Sequence, residues 1–293
     1  MLEPKTLTRQ AKDRLITFPD RPLIMGVVNV TPDSFSDGGR YLDAETAVAH
    51  AVQLVEEGAD LLDIGAESTR PGAGTVDEAE ERRRAIPVVA AVAKAVTVPI
   101  SIDTSKAAVA HAALDAGAVL VNDVTALRGD PAMVEVIVRT GAGIVLMHMQ
   151  GTPRTMQEAP RYDDVVEGIS AFFEERIRFA MTCGVVQRQI VLDPGIGFGK
   201  LLVHNLTLLA QLHRFARFGC PLLVGVSRKA FLGQLVDRPV QERQWATAAA
   251  VAIAVDRGAR ILRVHDVRAM KDVVQVTTAI SRQATLSMKV QHA

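Results

Sequence analysis

The chain has only two cysteines in 293 residues, Cys183 and Cys220, and they do not form a CxxC pair. Two are too few for a disulfide framework and point to reduced thiols in a cytoplasmic protein. Net charge is absent as well: 33 basic residues balance 33 acidic ones. That balance argues against a bulk nucleic-acid or membrane binder and toward small partners. No run reaches the ~18 uncharged apolar residues of a membrane span, and Met1-Leu2-Glu3-Pro4-Lys5 opens no signal-peptide core. The common nucleotide and zinc signatures are missing too. No GxGxxG follows the first apolar run and no HExxH occurs. Gly195-Ile196-Gly197-Phe198-Gly199-Lys200 lacks both the spacing and the following Ser or Thr of a phosphate loop.

What the chain does have is one phrase, repeated. Ile190-Val191-Leu192 runs into Asp193, Pro194 and a glycine-broken loop. Proline cannot donate to a sheet ladder and the glycines allow close backbone approach, so this reads as a strand that ends in a site. Short apolar runs followed at once by a polar residue recur at 23–30, 60–65, 99–102, 118–121, 144–147, 221–226 and 260–264. Between them lie stretches with apolar residues at helical spacing. The expected helices cover 43–58 with Asp43 as cap, 76–96, 105–116, 131–140, 162–183, 205–218, 242–256 and 267–284. Hydrophobic residues make up 48% of the sequence, enough for one large core. Eight alternations predict a single α/β domain, a (β/α)8 TIM barrel over residues 23–285, preceded by a polar lead-in at 1–22 and followed by a tail at 286–293. The competing architecture is an open doubly wound sheet, which would also gather the strand-end polar residues on one rim.

That rim collects Asn29, Asp63, Glu67, Asp103, Asn122, Asp123, His148, Asp193, Ser227, Lys229, Arg263, His265 and Asp266. For any one of them a helix cap or an ordinary hydrogen bond is explanation enough; together they suggest a binding mouth. Asp103, Asn122 and Asp193 suit a heterocycle rich in N–H donors. Arg263 and His265, followed by a helix, suit phosphate oxygens.

These residues sit in longer motifs: Met25-Gly26-Val27-Val28-Asn29-Val30-Thr31-Pro32-Asp33-Ser34-Phe35-Ser36-Asp37-Gly38-Gly39, Asp63-Ile64-Gly65-Ala66-Glu67-Ser68-Thr69-Arg70-Pro71-Gly72, Ile102-Asp103-Thr104, Val121-Asn122-Asp123, Leu192-Asp193-Pro194-Gly195, Ser227-Arg228-Lys229 and Arg263-Val264-His265. With them the chain, over residues ~24 to 275, resembles the dihydropteroate synthase family. The resemblance implies a cytoplasmic transferase of folate synthesis, a sulfonamide target. Its reaction would join 6-hydroxymethyl-7,8-dihydropterin diphosphate to 4-aminobenzoate, giving 7,8-dihydropteroate and diphosphate.

The same resemblance implies a pterin pocket at Asp103, Asn122, Asp193, Lys229 and Arg263, walled by Val124 and Met147. It places the diphosphate at Asn29, Thr69, Arg263 and His265, with Mg2+ at Asn29. The aminobenzoate falls against Thr69, Arg70, Pro71, Phe198 and Ser227. Lys229, Arg263, His265 and Asn29 are the expected catalytic residues, and a homodimer through outer helices is implied. Loops at 31–40 and 66–75 would close over both substrates. Ala66 and Leu201 stand where the family pattern leads us to expect Gly and Thr. A different class of pterin-binding barrel donates a methyl group to a corrinoid partner. It shares the Asp, Asn, Asp pocket but needs no diphosphate site, and the Ser227-Arg228-Lys229 and Arg263-Val264-His265 runs argue against it.

Overall fold

A computed structural model describes residues 7–12, 14–30, 40–67, 74 and 76–291. Thr69, Arg70 and Pro71 lie outside the described residues, as do nearly all of the two loops expected to close over the substrates. Eight parallel strands form one sheet: β3 (Leu23–Asn29), β4 (Leu61–Gly65), β5 (Ile100–Asp103), β6 (Leu120–Asp123), β7 (Gly143–Met147), β8 (Ile190–Asp193), β9 (Leu223–Val224) and β10 (Ile261–Val264). Their order is β8-β7-β6-β5-β4-β3-β10-β9, and a parallel bridge from Leu192 to Leu222 brings the two ends together. The sheet is therefore a nearly closed barrel rather than an open one.

Alternation along each strand explains the layers. Ile24, Leu62, Ile102, Val121, Leu146, Leu192, Val224 and Leu262 point outward and share one core with Ala47, Val88, Val109, Ile137, Ile169, Leu208, Val251 and Val274 of the surrounding helices. Met25, Leu61, Leu120, Val145, Val191, Leu223 and Ile261 point inward and make a second core at the N-terminal ends of the strands. Farther along the same strands the inward positions turn polar.

The helices are α1 (Arg40–Glu56), α2 (Glu78–Ala95), α3 (Ala107–Asp115), α4 (Met133–Thr140), α5 (Val165–Thr182), α6 (Leu202–Ala210), α7 (Ala230–Val236), α8 (Gln244–Asp256) and α9 (Val267–Gln291). Several depart from the sequence expectation. Asp43 lies inside α1, which begins at Arg40. The helix expected over 205–218 is two pieces, α6 and a 3-10 segment at Leu212–Phe218. A short helix, α7, follows β9 where none was anticipated, and α9 continues to Gln291, through most of the expected tail. The true caps belong to other aspartates. Asp77 accepts the Glu80 N–H at 2.8 Å, and Asp164 accepts those of Val166 and Glu167 at 2.8 and 3.0 Å.

The lead-in is an antiparallel hairpin, β1 (Leu7–Ala11) and β2 (Arg14–Phe18), paired from Leu7 opposite Phe18 to Ala11 opposite Arg14. It plugs the barrel floor. Phe18, 2% exposed, packs into the inward core. Lys12 ties the hairpin to the bottom loops: its backbone N–H reaches the Gly141 carbonyl at 2.7 Å and its ammonium the Leu114 carbonyl at 2.8 Å. Burying a side chain as large as Phe18 contributes about 2–3 kcal/mol, a reason for the chain to spend a hairpin there.

Candidate active site

At the C-terminal ends of the strands the inward residues are charged. Arg263, from β10, reaches across the barrel: Nε donates to Asp63 Oδ2 at 2.6 Å and Nη2 to Asp103 Oδ2 at 3.0 Å. Asn122 Nδ2 donates to the same Asp63 oxygen at 2.9 Å. Asp63, Asp103, Asn122 and Asp193 are all buried. The backbone ladder sets Asp103 beside Asn122 and Met147 beside Asp193. Two more buried polar atoms have no partner among the described residues, Asp63 Oδ1 and Asn122 Oδ1. Orphaned acceptors of this kind are costly in a finished core and ordinary in a pocket awaiting a donor.

Charge in this mouth is finely balanced. Burial, with Asp63 alongside, pushes the Asp103 carboxyl up to about 7, against the pull of Arg263. Burial likewise lifts Asp193 to about 6, opposed by the Gly195 N–H that its Oδ1 accepts at 2.7 Å and by Lys229, Lys200 and Arg263. Burial works against the Arg263 charge too, but Asp63 and Asp103 more than offset it and its pKa is raised.

The turn after β8 completes one side. Gly195, at φ 66°, could carry no side chain, because a Cβ would lie 1.9 Å from the His148 carbonyl oxygen. The Phe198 ring lies under the Lys229 ammonium, 4.0 Å from nitrogen to ring centre. Phe198 also packs on an apolar patch of Val124, Met147, Met149 and Met156. Next around the barrel, after β9 and β10, His265 Nδ1 lies 2.9 Å from Ser227 Oγ, and Ser227 also accepts the His265 backbone N–H at 3.2 Å.

The structure thus brings Asp103, Asn122, Asp193, Arg263, Lys229, Phe198, Val124, Met147, Ser227 and His265 to one rim. Asn29 ends β3 on that rim, and its side chain makes no hydrogen bond among the described residues. Several rim residues serve the scaffold instead. Asp123 points outward and fixes the following loop, accepting from Thr125 N–H at 2.8 Å, Thr125 hydroxyl at 2.6 Å and Leu127 N–H at 2.7 Å. Glu67 is held by Lys106 and accepts the Val76 N–H at 3.0 Å, and Asp266 takes the Arg228 guanidinium on both oxygens. Asp63 stood on the sequence rim but without a role; its inward parity with Leu61, two residues earlier, was the available signal. Lys200, hidden in a turn rather than at a strand end, gave none.

A closed (β/α)8 barrel with buried carboxylates, an amide and an arginine at its C-terminal mouth defines an enzyme that binds a small polar ligand there. Comparison gives the class its family. Residues 25–265 match the family of pterin binding enzymes. The dihydropteroate synthases of Synechocystis and of Escherichia coli K12 are 45% and 46% identical over 92% of this chain and 93% of their own length. Among solved structures, the Xanthomonas albilineans dihydropteroate synthase with 4-aminobenzoic acid superposes at a TM-score of 0.88, with 46% identity over 94% of this chain and 98% of that one. The Yersinia pestis dihydropteroate synthase in complex with a sulfonamide drug gives the same TM-score at 45% identity, covering 93% and 98%. The chain belongs to the dihydropteroate synthase family of pterin-binding enzymes. It is a transferase of a pterinylmethyl group, condensing 6-hydroxymethyl-7,8-dihydropterin diphosphate with 4-aminobenzoate in folate biosynthesis.

Proposed function

We propose that the buried polar layer of the mouth, Asp103, Asn122 and Asp193, holds the pterin ring edge-on. The observation that carries this reading is the Asn122 amide oxygen left without a partner among the described residues, beside carboxylates already engaged by Arg263 and Gly195. Ring N–H groups supply the missing donors. Val124 and Met147 form the apolar wall, and the stacked Phe198 and Lys229 pair closes the side where the aminobenzoate enters, with Ser227 near its carboxylate. Thr69, Arg70 and Pro71 complete that subsite by family resemblance.

Arg263 then has two tasks. Nε and Nη2 are committed to carboxylates, which leaves Nη1 for the diphosphate, together with His265 and Thr69. Asn29 would hold Mg2+. A neutral amide oxygen fits a hard cation that takes few protein ligands and completes its shell with phosphate and water. When bound, the ion would neutralise charge on the departing diphosphate. The residues themselves do the rest: Asp103, Asn122 and Asp193 orient the ring, Arg263 and His265 stabilise the leaving group, and Lys229 with Phe198 aligns the amine behind the methylene carbon. A cation at that carbon, stabilised by the electron-rich ring, needs little general-base help from the protein.

The exposed apolar side chains Trp245 on α8 and Val276 and Ile280 on α9 support a homodimer through these outer helices. None of the helices among the described residues is long and apolar enough to cross a membrane, and the reduced cysteines support a cytoplasmic setting.

Oxygen labelling tests the mechanism. With the pterin diphosphate and Mg2+ but no aminobenzoate, label in the bridging oxygen should scramble into non-bridging positions, and Arg263→Ala should suppress that scrambling more than it weakens ring binding. Absence of scrambling in the wild type, under conditions where the complete reaction runs, overturns the stepwise route.

A further inference from the structure

The glycine-rich turn after β8 contains a lysine that the reaction as described leaves idle. Lys200 is 3% exposed. Its ammonium donates to the Phe198 carbonyl at 2.8 Å and to the His148 carbonyl at 3.3 Å, and lies 3.0 Å from His148 Nδ1. An ammonium has three N–H groups, so each has an acceptor. His148 is suited to its part: burial, with Lys200 alongside, pushes its pKa down to about 2, so the ring is neutral and Nδ1 can accept.

The same cluster holds the residue proposed to read the ring. The His148 backbone N–H donates to the Asp193 carbonyl at 2.9 Å, and the Gly195 N–H donates to Asp193 Oδ1 at 2.7 Å. Gly195 lies between the two side chains: a Cβ built there would be 3.4 Å from the Lys200 nitrogen. The carbonyl that Lys200 grips belongs to Phe198, whose ring supports Lys229. A neutral side chain of similar length would fill this space without the desolvation cost of a buried charge. Retention of the charge asks for a reason.

We propose that Lys200 is a positioning residue of the pterin site: its buried ammonium pins the Asp193–Phe198 turn against His148 and places positive charge behind the Asp193 carboxylate, keeping it ionised for the N–H donors of the ring. The proposal rests on the reading of Asp193 as a ring acceptor. The groups facing Asp193 are Lys200 from its own turn, Lys229 from the start of α7 and Arg263 from β10. Those facing Lys200 are Asp193 and Lys229. Arg128 faces His148, and His204 at the start of α6 senses the Lys200 charge. Burial lowers Lys200 to about 7, so it is charged throughout the acid range in which Asp193, lifted by its own burial to about 6, would take up a proton. Removing the ammonium raises Asp193 further. Ring binding is then lost at a higher pH as the medium is acidified.

The test is the affinity of Lys200→Met for 6-hydroxymethylpterin, measured by calorimetry from about pH 5.5 to about pH 7.5, with the KM for 4-aminobenzoate and kcat measured alongside. The pH of half-maximal affinity should rise by about 1, making binding about fivefold weaker near pH 6 but only about 1.3-fold weaker near pH 7.5. The aminobenzoate KM should rise as Phe198 loses its anchor. A variant whose affinity follows the wild-type pH curve, with only a lower Tm, overturns the proposal and leaves a structural lysine. Should Lys200→Met not fold, Lys200→Gln, which also removes the charge, makes the same comparison; failure of both to fold overturns it as well. Asp193→Asn separates the two readings. If that variant binds the pterin normally, the reading of Asp193 itself fails; if it binds weakly while Lys200→Met keeps the wild-type pH curve, only the role of Lys200 fails.

Discussion

The two ends of the barrel interior are built from the same strands and obey opposite rules. At the floor, Met25, Leu61, Leu120, Val145, Val191, Leu223 and Ile261 meet Phe18 of the hairpin, and all are buried. At the mouth, two residues farther along β4, β6, β8 and β10, the inward positions are Asp63, Asn122, Asp193 and Arg263, joined by Asp103 of β5, with polar atoms left unpartnered among the described residues. The floor concentrates buried apolar area, which stabilises without specifying a ligand. The mouth concentrates buried charge, which stabilises little or nothing net and becomes useful when a substrate completes its hydrogen bonds. Stability and recognition are thus separated along one strand axis by about two residues, roughly 7 Å.

That separation predicts that damage at one end leaves the other end's property alone. Phe18→Ala should have the largest effect, about 3–5 kcal/mol of stability lost to a cavity in the floor, with KM values unchanged in the folded fraction. Urea denaturation and steady-state kinetics on one preparation check this; a raised KM would mean that the hairpin communicates with the mouth. Lys229→Ala should do the converse, losing turnover by about 100-fold while Tm moves by no more than about 3 °C. Lys229 occupies the cap position of α7 but makes no side-chain cap bond, so truncation removes no cap bond from the helix.

A milder version of the converse is Asp193→Asn, expected to weaken pterin binding about tenfold, or about 1.4 kcal/mol. Because ionising this buried carboxyl is unfavourable, the same change should hold or raise Tm near pH 8, and a fall in Tm there would show that Asp193 supports the fold. The last effect is on the pH dependence of stability. Asp103 has its folded-state value raised from 3.8 to about 7, so between these limits the folded protein binds more protons than the unfolded chain. Its contribution is present in full below the ordinary carboxylate value and is lost as pH rises through about 7. Stability measured by urea midpoint should therefore carry a declining component from about pH 4 to about pH 7, and Asp103→Asn should flatten it. An unchanged slope would show that Asp103 titrates like an ordinary surface carboxylate.

The fold was legible because its signal is local and repeated. Apolar runs ending in Asp, Asn, His or Arg recur once per unit, and each unit needs only its own alternation to announce a strand and a helix. The exceptions are short or context-bound. Ala230–Val236 is seven residues long, too brief for a helical period to stand out. Asp43, a good cap by type, fell inside α1 because that helix begins at Arg40. Ser, Thr, Asp and Asn near an expected helix start show that a cap is available, while the tertiary path of the loop decides where the first turn begins.

The site was half legible. That Asp103, Asn122, Asp193 and Arg263 would share a rim followed from sequence, since every parallel strand in a barrel points its C-terminal end to the same side. Side-chain direction was also fixed locally: Asn122 and Asp123 are neighbours in sequence, and the period of two sends one inward to the mouth and the other outward to brace Thr125 and Leu127. Which inward residue meets which could not be read this way. Arg263 pairs with Asp63 from 200 positions away and with Asp103 from 160, a juxtaposition that exists only because β10 closes against β3. Lys200 finds His148 across 52 positions in the same manner. Direction is a property of each strand's own backbone, so the sequence determined it. Partnership depends on where a long chain closes into a ring, and burial then sets the charge of the residues that meet there, so both were decided by the tertiary structure.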